Sequence, residues 1–123
     1  MVLAAKIFRV TEEASLDDVG AKLKGFRREE NYSEDKFEYE IITEISNVNL
    51  RSRVLRGTFA EDKIFHVYHH GQTLPVARTV EADFTFSHHE NLLLLTVLEK
   101  KTEANHIANS LSEALFITGG RIV

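Results

Sequence analysis

Apolar and polar positions alternate along this chain in two rhythms. Residues 3–10 are rich in apolar and β-branched types and read as a strand. Leu16, Val19, Leu23 and Phe26 then recur at three- and four-residue steps, the period of a helix with one apolar stripe. Ser15 offers an N-cap hydroxyl with Asp18 three residues on, and Gly25 offers a stop. Residues 28–35 are polar throughout and read as a loop. From Lys36 the period becomes two: Phe37, Tyr39, Ile41, Thr43 and Ile45 alternate with Glu38, Glu40, Ile42 and Glu44, a strand with one wet face. Turn-forming residues at 47–49, 60–62, 71–75 and 88–91 divide the rest of the sheet region into strands over 50–59, 63–70, 78–87 and 92–99. A final stripe of Ala104, Ile107, Ala108, Leu111, Ala114 and Leu115 predicts a helix over 102–116.

These elements describe an α+β fold: strand, helix, a five-stranded antiparallel meander, helix. The connections are too short for crossover helices, so the meander is antiparallel. Both helices belong on one face of a curved sheet. Folding the strands about their expected turns assigns the faces, because cross-strand neighbours share a side. Phe37, Tyr39, Ile41, Ile45, Leu55, Ile64, Tyr68, Val80, Phe84, Phe86, Leu93, Leu95 and Val97 fall beneath the helices. The opposite, open face collects Glu38, Glu40, Glu44, Glu81 and Asp83 together with apolar Ile42, Val54, Phe65, Val67, Leu92, Leu94 and Leu98. One domain is expected over 1–118, with 119–123 starting a following segment after the Gly119–Gly120 stop.

Composition narrows the classes. The chain has 123 residues, enough for one core, and no cysteine, which excludes a disulfide framework and a cysteine nucleophile. A formal charge of -4 provides no whole-chain basic footprint for nucleic acid. The apolar N-terminus is broken by Lys6 and Arg9, so it reads as a strand and not a signal peptide, and a cytoplasmic protein without membrane contact is expected.

The order of elements is similar to the TATA-binding-protein-like fold, which is strand, helix, antiparallel meander and helix, with both helices behind a saddle. The resemblance covers nearly the whole chain by topology. It implies a concave sheet face that grips DNA. A helix-grip arrangement, with a terminal helix over a curved sheet, is the alternative fold. The stretch from Ala104 to Leu111 also resembles segments of uncharacterised archaeal proteins.

Chemistry-bearing residues give three expectations. The first is a non-enzymatic interaction or assembly domain, docking a protein partner, its own subunit or a downstream domain through Val54, Phe65, Val67, Leu92 and Leu94. The second is nucleic-acid or anion binding at a rim of Arg51, Arg53, Arg78 and His70. That reading is disfavoured by the acidic residues that would face phosphates. The third is an apolar ligand carrier, which requires a void between the sheet and the last helix. No nucleophile elbow or glycine-rich phosphate loop occurs, so neither a catalytic residue nor a cofactor is assigned. The histidines at 66, 69, 70, 88 and 89 are spread over two faces and two sheet ends, so no metal site is assigned either.

Overall fold

The computed structural model describes residues 4–10, 15–99 and 101–115. The elements are β1 (Lys6–Val10), α1 (Leu16–Leu23), β2 (Arg27–Glu34), β3 (Phe37–Arg51), β4 (Val54–His69), β5 (Gln72–His89), β6 (Leu92–Val97) and α2 (Lys101–Leu115). The six strands form one antiparallel sheet in the order β1-β6-β5-β4-β3-β2. The fold is therefore the expected α+β meander with two helices. The segment at 119–123 lies outside the described residues.

Local sequence explains the helices. Ser15 Oγ accepts from the Asp18 backbone N–H at 3.1 Å, and Asp17 and Asp18 complement the positive end of α1. Lys24 closes the helix and Gly25 takes φ 76°, a left-handed conformation that suits glycine after a C-cap. Leu16, Val19 and Leu23 of α1 and Ala104, Ile107, Ala108, Leu111 and Leu115 of α2 join one core. Their sheet partners are Phe8, Val10, Ile45, Leu55, Phe59, Ala82, Phe84, Phe86, Leu93, Leu95 and Val97. Both helices thus cover the same sheet face. The Lys6 ammonium donates to Asn105 Oδ1 at 2.7 Å, tying β1 to α2, and the Lys22 ammonium donates to the Leu115 carbonyl at 3.2 Å.

The strands differ from the sequence reading at five places. Residues 28–35 are not a loop: Arg27–Glu34 pairs with β3 along its full length. This strand lies at the sheet edge and is mostly exposed, so it carries no apolar alternation. Residues 47–49 are not a turn but a bulge inside β3, with Asn47 at φ 56° and the register shifted between Ser46 and Asn49. The reversal comes later, at Ser52 and Arg53, both with positive φ as in the two-residue turns that match strand twist. Residues 60–62 are mid-strand: β4 runs unbroken, and Ala60 sits buried between its pairing partners Glu44 and Glu81. The 71–75 connection contracts to His70–Gly71, and Pro75 lies within β5 opposite His66. There β5 has no second neighbour, because β6 reaches only from Phe84 to His89, so proline removes no ladder bond on that side. His88 and His89 also belong to β5 rather than to the turn after it. One added strand and one rejoined strand cancel, which is why the order of elements agrees.

An unbroken β4 moves side chains between faces. With Phe59 on the helix side, alternation places Phe65 and Val67 there too, and Ile64, His66 and Tyr68 opposite. The expected positions of Ile64, Tyr68, Phe65 and Val67 are thereby reversed. Beyond the Thr43–Glu61 pair, β3 and β4 separate, and the β2–β3 and β4–β5 hairpins continue as two ribbons. The Ile42 N–H here donates to Asp62 Oδ2 at 3.0 Å instead of to a strand carbonyl. Right-handed twist turns one face of the first ribbon toward the opposite face of the second. Tyr39 Oη donates to the Pro75 carbonyl at 2.9 Å, and His66 Nε2 donates to Glu34 Oε1 at 3.0 Å.

The core has little slack at Gly57. A Cβ there would lie 2.5 Å from Phe84 Cζ, and Phe84 is itself fully enclosed. Gly57→Ala is expected to lower the unfolding free energy by about 1–3 kcal/mol, the usual cost of overpacking, as measured by urea denaturation. A midpoint equal to that of the wild type would show that Phe84 moves freely.

Candidate docking face

The sheet surface opposite the helices is built from alternate positions of every strand. Pairing registers place Ile7, Thr96, Thr85 and Arg56 in one row across it, and Arg9, Leu94, Ser87, Val54 and Arg51 in the next. Leu92 and Leu98 flank Leu94 on the same parity. Ile7, Leu98 and Leu92 are 62%, 46% and 43% exposed, and Val54 and Leu94 are half-buried. These five residues make an apolar strip, carried mainly by β1 and β6.

The sequence-predicted docking set is therefore split. Val54, Leu92 and Leu94 share the uncovered face. Phe65 and Val67 lie on the helix-side face of the β4–β5 arm, exposed beyond the helices. Leu98 lies on this face as the alternation of the last strand predicts, and Ile7 is an addition that the sequence reading does not contain, because the strip extends along the β1 edge and not only over the central strands.

The predicted arginine and histidine rim is divided as well. Arg51 and Arg53 adjoin the β3–β4 turn. His70 occupies the β4–β5 turn, at the far end of a 16-residue strand. Arg78 lies partway along the arm, with its guanidinium 6.0 Å from the Phe65 ring centroid. The structure instead gathers Arg9, Arg51, Arg53 and Arg56 at one end of the sheet, exposed and without ion pairs among the described residues. Arginine–glutamate ion pairs occur instead within β2, at Arg27–Glu29 (2.9 Å) and Arg28–Glu30 (3.4 Å).

Acidic groups hold the other end of the uncovered face. Asp83 accepts from Thr58 Oγ1 at 3.0 Å, and Asp62 from Thr79 Oγ1 at 2.6 Å. Glu44 and Glu81 flank Ala60. Glu40 shares a hydrogen bond with Glu29, and that bond, the like charge and some desolvation raise its pKa above the ordinary carboxylate value. Deprotonation of Glu40 therefore works against the fold as pH rises through the carboxylate range.

Two histidine–carboxylate pairs are not legible in the sequence, since each joins residues far apart in the chain. His106 on α2 donates from Nε2 to Glu61 Oε1 at 2.9 Å, beside a recess of about 10 Å³ lined by Phe59, Val80, Ala82 and Ile107. That volume holds about one water and no substrate. His66 meets Glu34, which also accepts from Tyr32 Oη at 3.1 Å. The expected carrier void is occupied: Phe84, Phe86, Leu95 and Leu111 are fully buried between sheet and helices. Among the described residues, no group of three or more histidine and carboxylate side chains is placed to hold a metal ion. No described helix is long and apolar enough to cross a membrane.

The hydrogen bond from His66 is the largest influence on Glu34 and lowers its pKa below the ordinary carboxylate value. A lowered carboxyl pKa contributes stability above the ordinary value of 4.5, which is lost as pH falls through the lowered one. His66→Ala is expected to move the Glu34 titration midpoint upward, as followed by NMR of its carboxyl carbon. An unmoved midpoint would mean that the two ribbons do not meet through this pair in solution.

Comparison with protein-family models, with curated proteins and with solved structures found no match to this chain.

Proposed function

We propose that this chain is a non-enzymatic protein-interaction domain that docks through the sheet face opposite its helices. One observation carries the reading. The sheet is covered on one side only, and its uncovered side exposes Ile7, Leu92 and Leu98 on two adjoining strands. Contiguous apolar surface in a water-facing sheet is costly, and its usual use is contact with another surface. Acidic residues beside the strip favour a partner surface that combines apolar with basic groups.

A second reading, nucleic-acid or anion contact, draws support from the four arginines at one end. Arginine recognises phosphate well. On this face, however, Asp83 lies two residues along the strands from the Arg56 row and four from the Arg51 row, about 7 and 13 Å at about 3.3 Å per residue, and Glu44 and Glu81 lie two residues further on. A phosphate backbone crossing the sheet would meet them. The protein-docking reading avoids that conflict.

Photo-crosslinking tests the proposal. A benzophenone amino acid at position 7 or 98 is expected to give protein adducts in cells, and Leu94→Asp is expected to abolish them. The same group at position 68, where Tyr68 is 75% exposed on the β4–β5 arm, is expected to give none. Adducts that survive Leu94→Asp, or their absence at both face positions, would overturn the proposal.

A further inference from the structure

Resting on the docking reading above, we infer that the partner of the uncovered face is a second copy of this chain, joined face to face about a two-fold axis running across the strands. The face is electrically polar along its strands. Arg9, Arg51 and Arg56 lie at one end with no ion pair among the described residues, and Glu44, Glu81 and Asp83 lie toward the other, where Arg27 beside Glu44 is paired with Glu29. A two-fold axis across the strands reverses strand direction and keeps each strand over its own counterpart. It therefore lays the arginine end of one copy over the acidic end of the other, twice per dimer. In this arrangement Arg51 meets Glu44 of the second copy, since both belong to β3.

The apolar strip satisfies the same operation. It runs along β1 and β6, and the axis that sets Arg51 over Glu44 crosses it between Ile7 and Leu98, which are brought against the same two residues of the second copy. A partner that is not this chain would have to carry both a matching strip and the reversed charge gradient; a second copy carries both. The footprint is smaller than the whole sheet: β1, β6, β5, β4 and β3, about 4.8 Å apart, span about 19 Å, and β2 joins only from the Glu44 row onward. About seven residues along the three longer strands span about 23 Å, which places the pairing at the low end of interface sizes and makes a weak dimer the expectation. Two sheets packed this way lie about 10 Å apart, as in a β-sandwich.

Sedimentation equilibrium on the whole chain tests the inference through charge exchange at exposed or half-exposed positions, which spares the core. The wild type is expected to form dimers in a concentration-dependent way. Arg51→Glu and Glu44→Arg are each expected to raise the dimer dissociation constant about tenfold, and the combined variant to restore it, because the exchanged charges meet again across the axis. A wild type that stays monomeric to about millimolar concentration, at which contacts worth only about 4 kcal/mol form, would overturn the inference. A combined variant weaker than either single one would do the same. If the monomeric chain still forms adducts with another protein from position 98, docking stands and self-pairing falls. If it binds a short DNA duplex with steep salt dependence that Arg51→Glu removes, both the self-pairing and the protein-docking readings fall.

Discussion

The unbroken ladder between β4 and β5 is the constraint on which the other features of this domain depend. All 16 residues of β4 pair in one register, from Val54 opposite Ser87 to His69 opposite Gln72. With a side-chain period of two, that single register decides for both strands which residues meet the helices. It sends Leu55, Phe59, Phe84 and Phe86 into the core and brings Gly57 against the Phe84 ring, where no side chain fits. The neighbouring strand adapts to it: β3 takes up one extra residue at Asn47, so Val48 after the bulge packs against the core as Ile45 does before it.

The same ladder shows why part of the architecture is legible in the sequence and part is not. Amphipathic periods such as Leu16 to Leu23 and Ala104 to Leu115 report their own burial, and both helices form where those periods place them. The strand Arg27–Glu34 buries almost nothing, so no period marks it; backbone pairing to β3 alone creates it. Ala60, Glu61 and Asp62 have low strand propensity and resemble a turn, but their neighbours hold them extended on both sides, and tertiary pairing overrides local preference. A turn at that point shifts the parity of the following segment, which is how Phe65 and Val67 come to be expected on the wrong face. The part of the proposed docking surface on Val54, Leu92 and Leu94 is unaffected, because those residues lie outside the shifted segment. Leu98 continues the alternation of the last strand, whereas Ile7 joins only through the pairing of the first strand with the last, a contact that adjacent turns do not reveal.

Edges and ribbon tips are managed differently from the face. The outer strand β2 carries paired arginines followed by glutamates, a charged edge that discourages pairing with a stray strand. The two long hairpins do not project separately, because Tyr39 reaches the Pro75 carbonyl and Glu34 holds His66. Sequence alternation suggests that Phe37, Tyr39 and Ile64 share one environment, and on the ribbons Tyr39 does meet the strand opposite Ile64. They come together by twist between separated ribbons and not by lateral pairing.

Charge along the uncovered face follows from the same geometry. The β3–β4 turn brings Arg51 and Arg53 to the sheet end where β1 delivers Arg9, while the middle of the long ladder presents Glu44, Glu81 and Asp83. Exposed charges of one sign at each end add little to the stability of an isolated domain, since water and salt screen them. Their arrangement matters when a second surface excludes water, because interactions that are weak in solvent then gain strength and acquire direction. The helices cannot exclude that water, because both lie behind the sheet. Only a second body placed over Leu94 and its neighbours would bring the two charged ends into use. The uncovered sheet is thus the surface where exposed apolar side chains and separated charges lie together, and the two would gain strength from the same covering body.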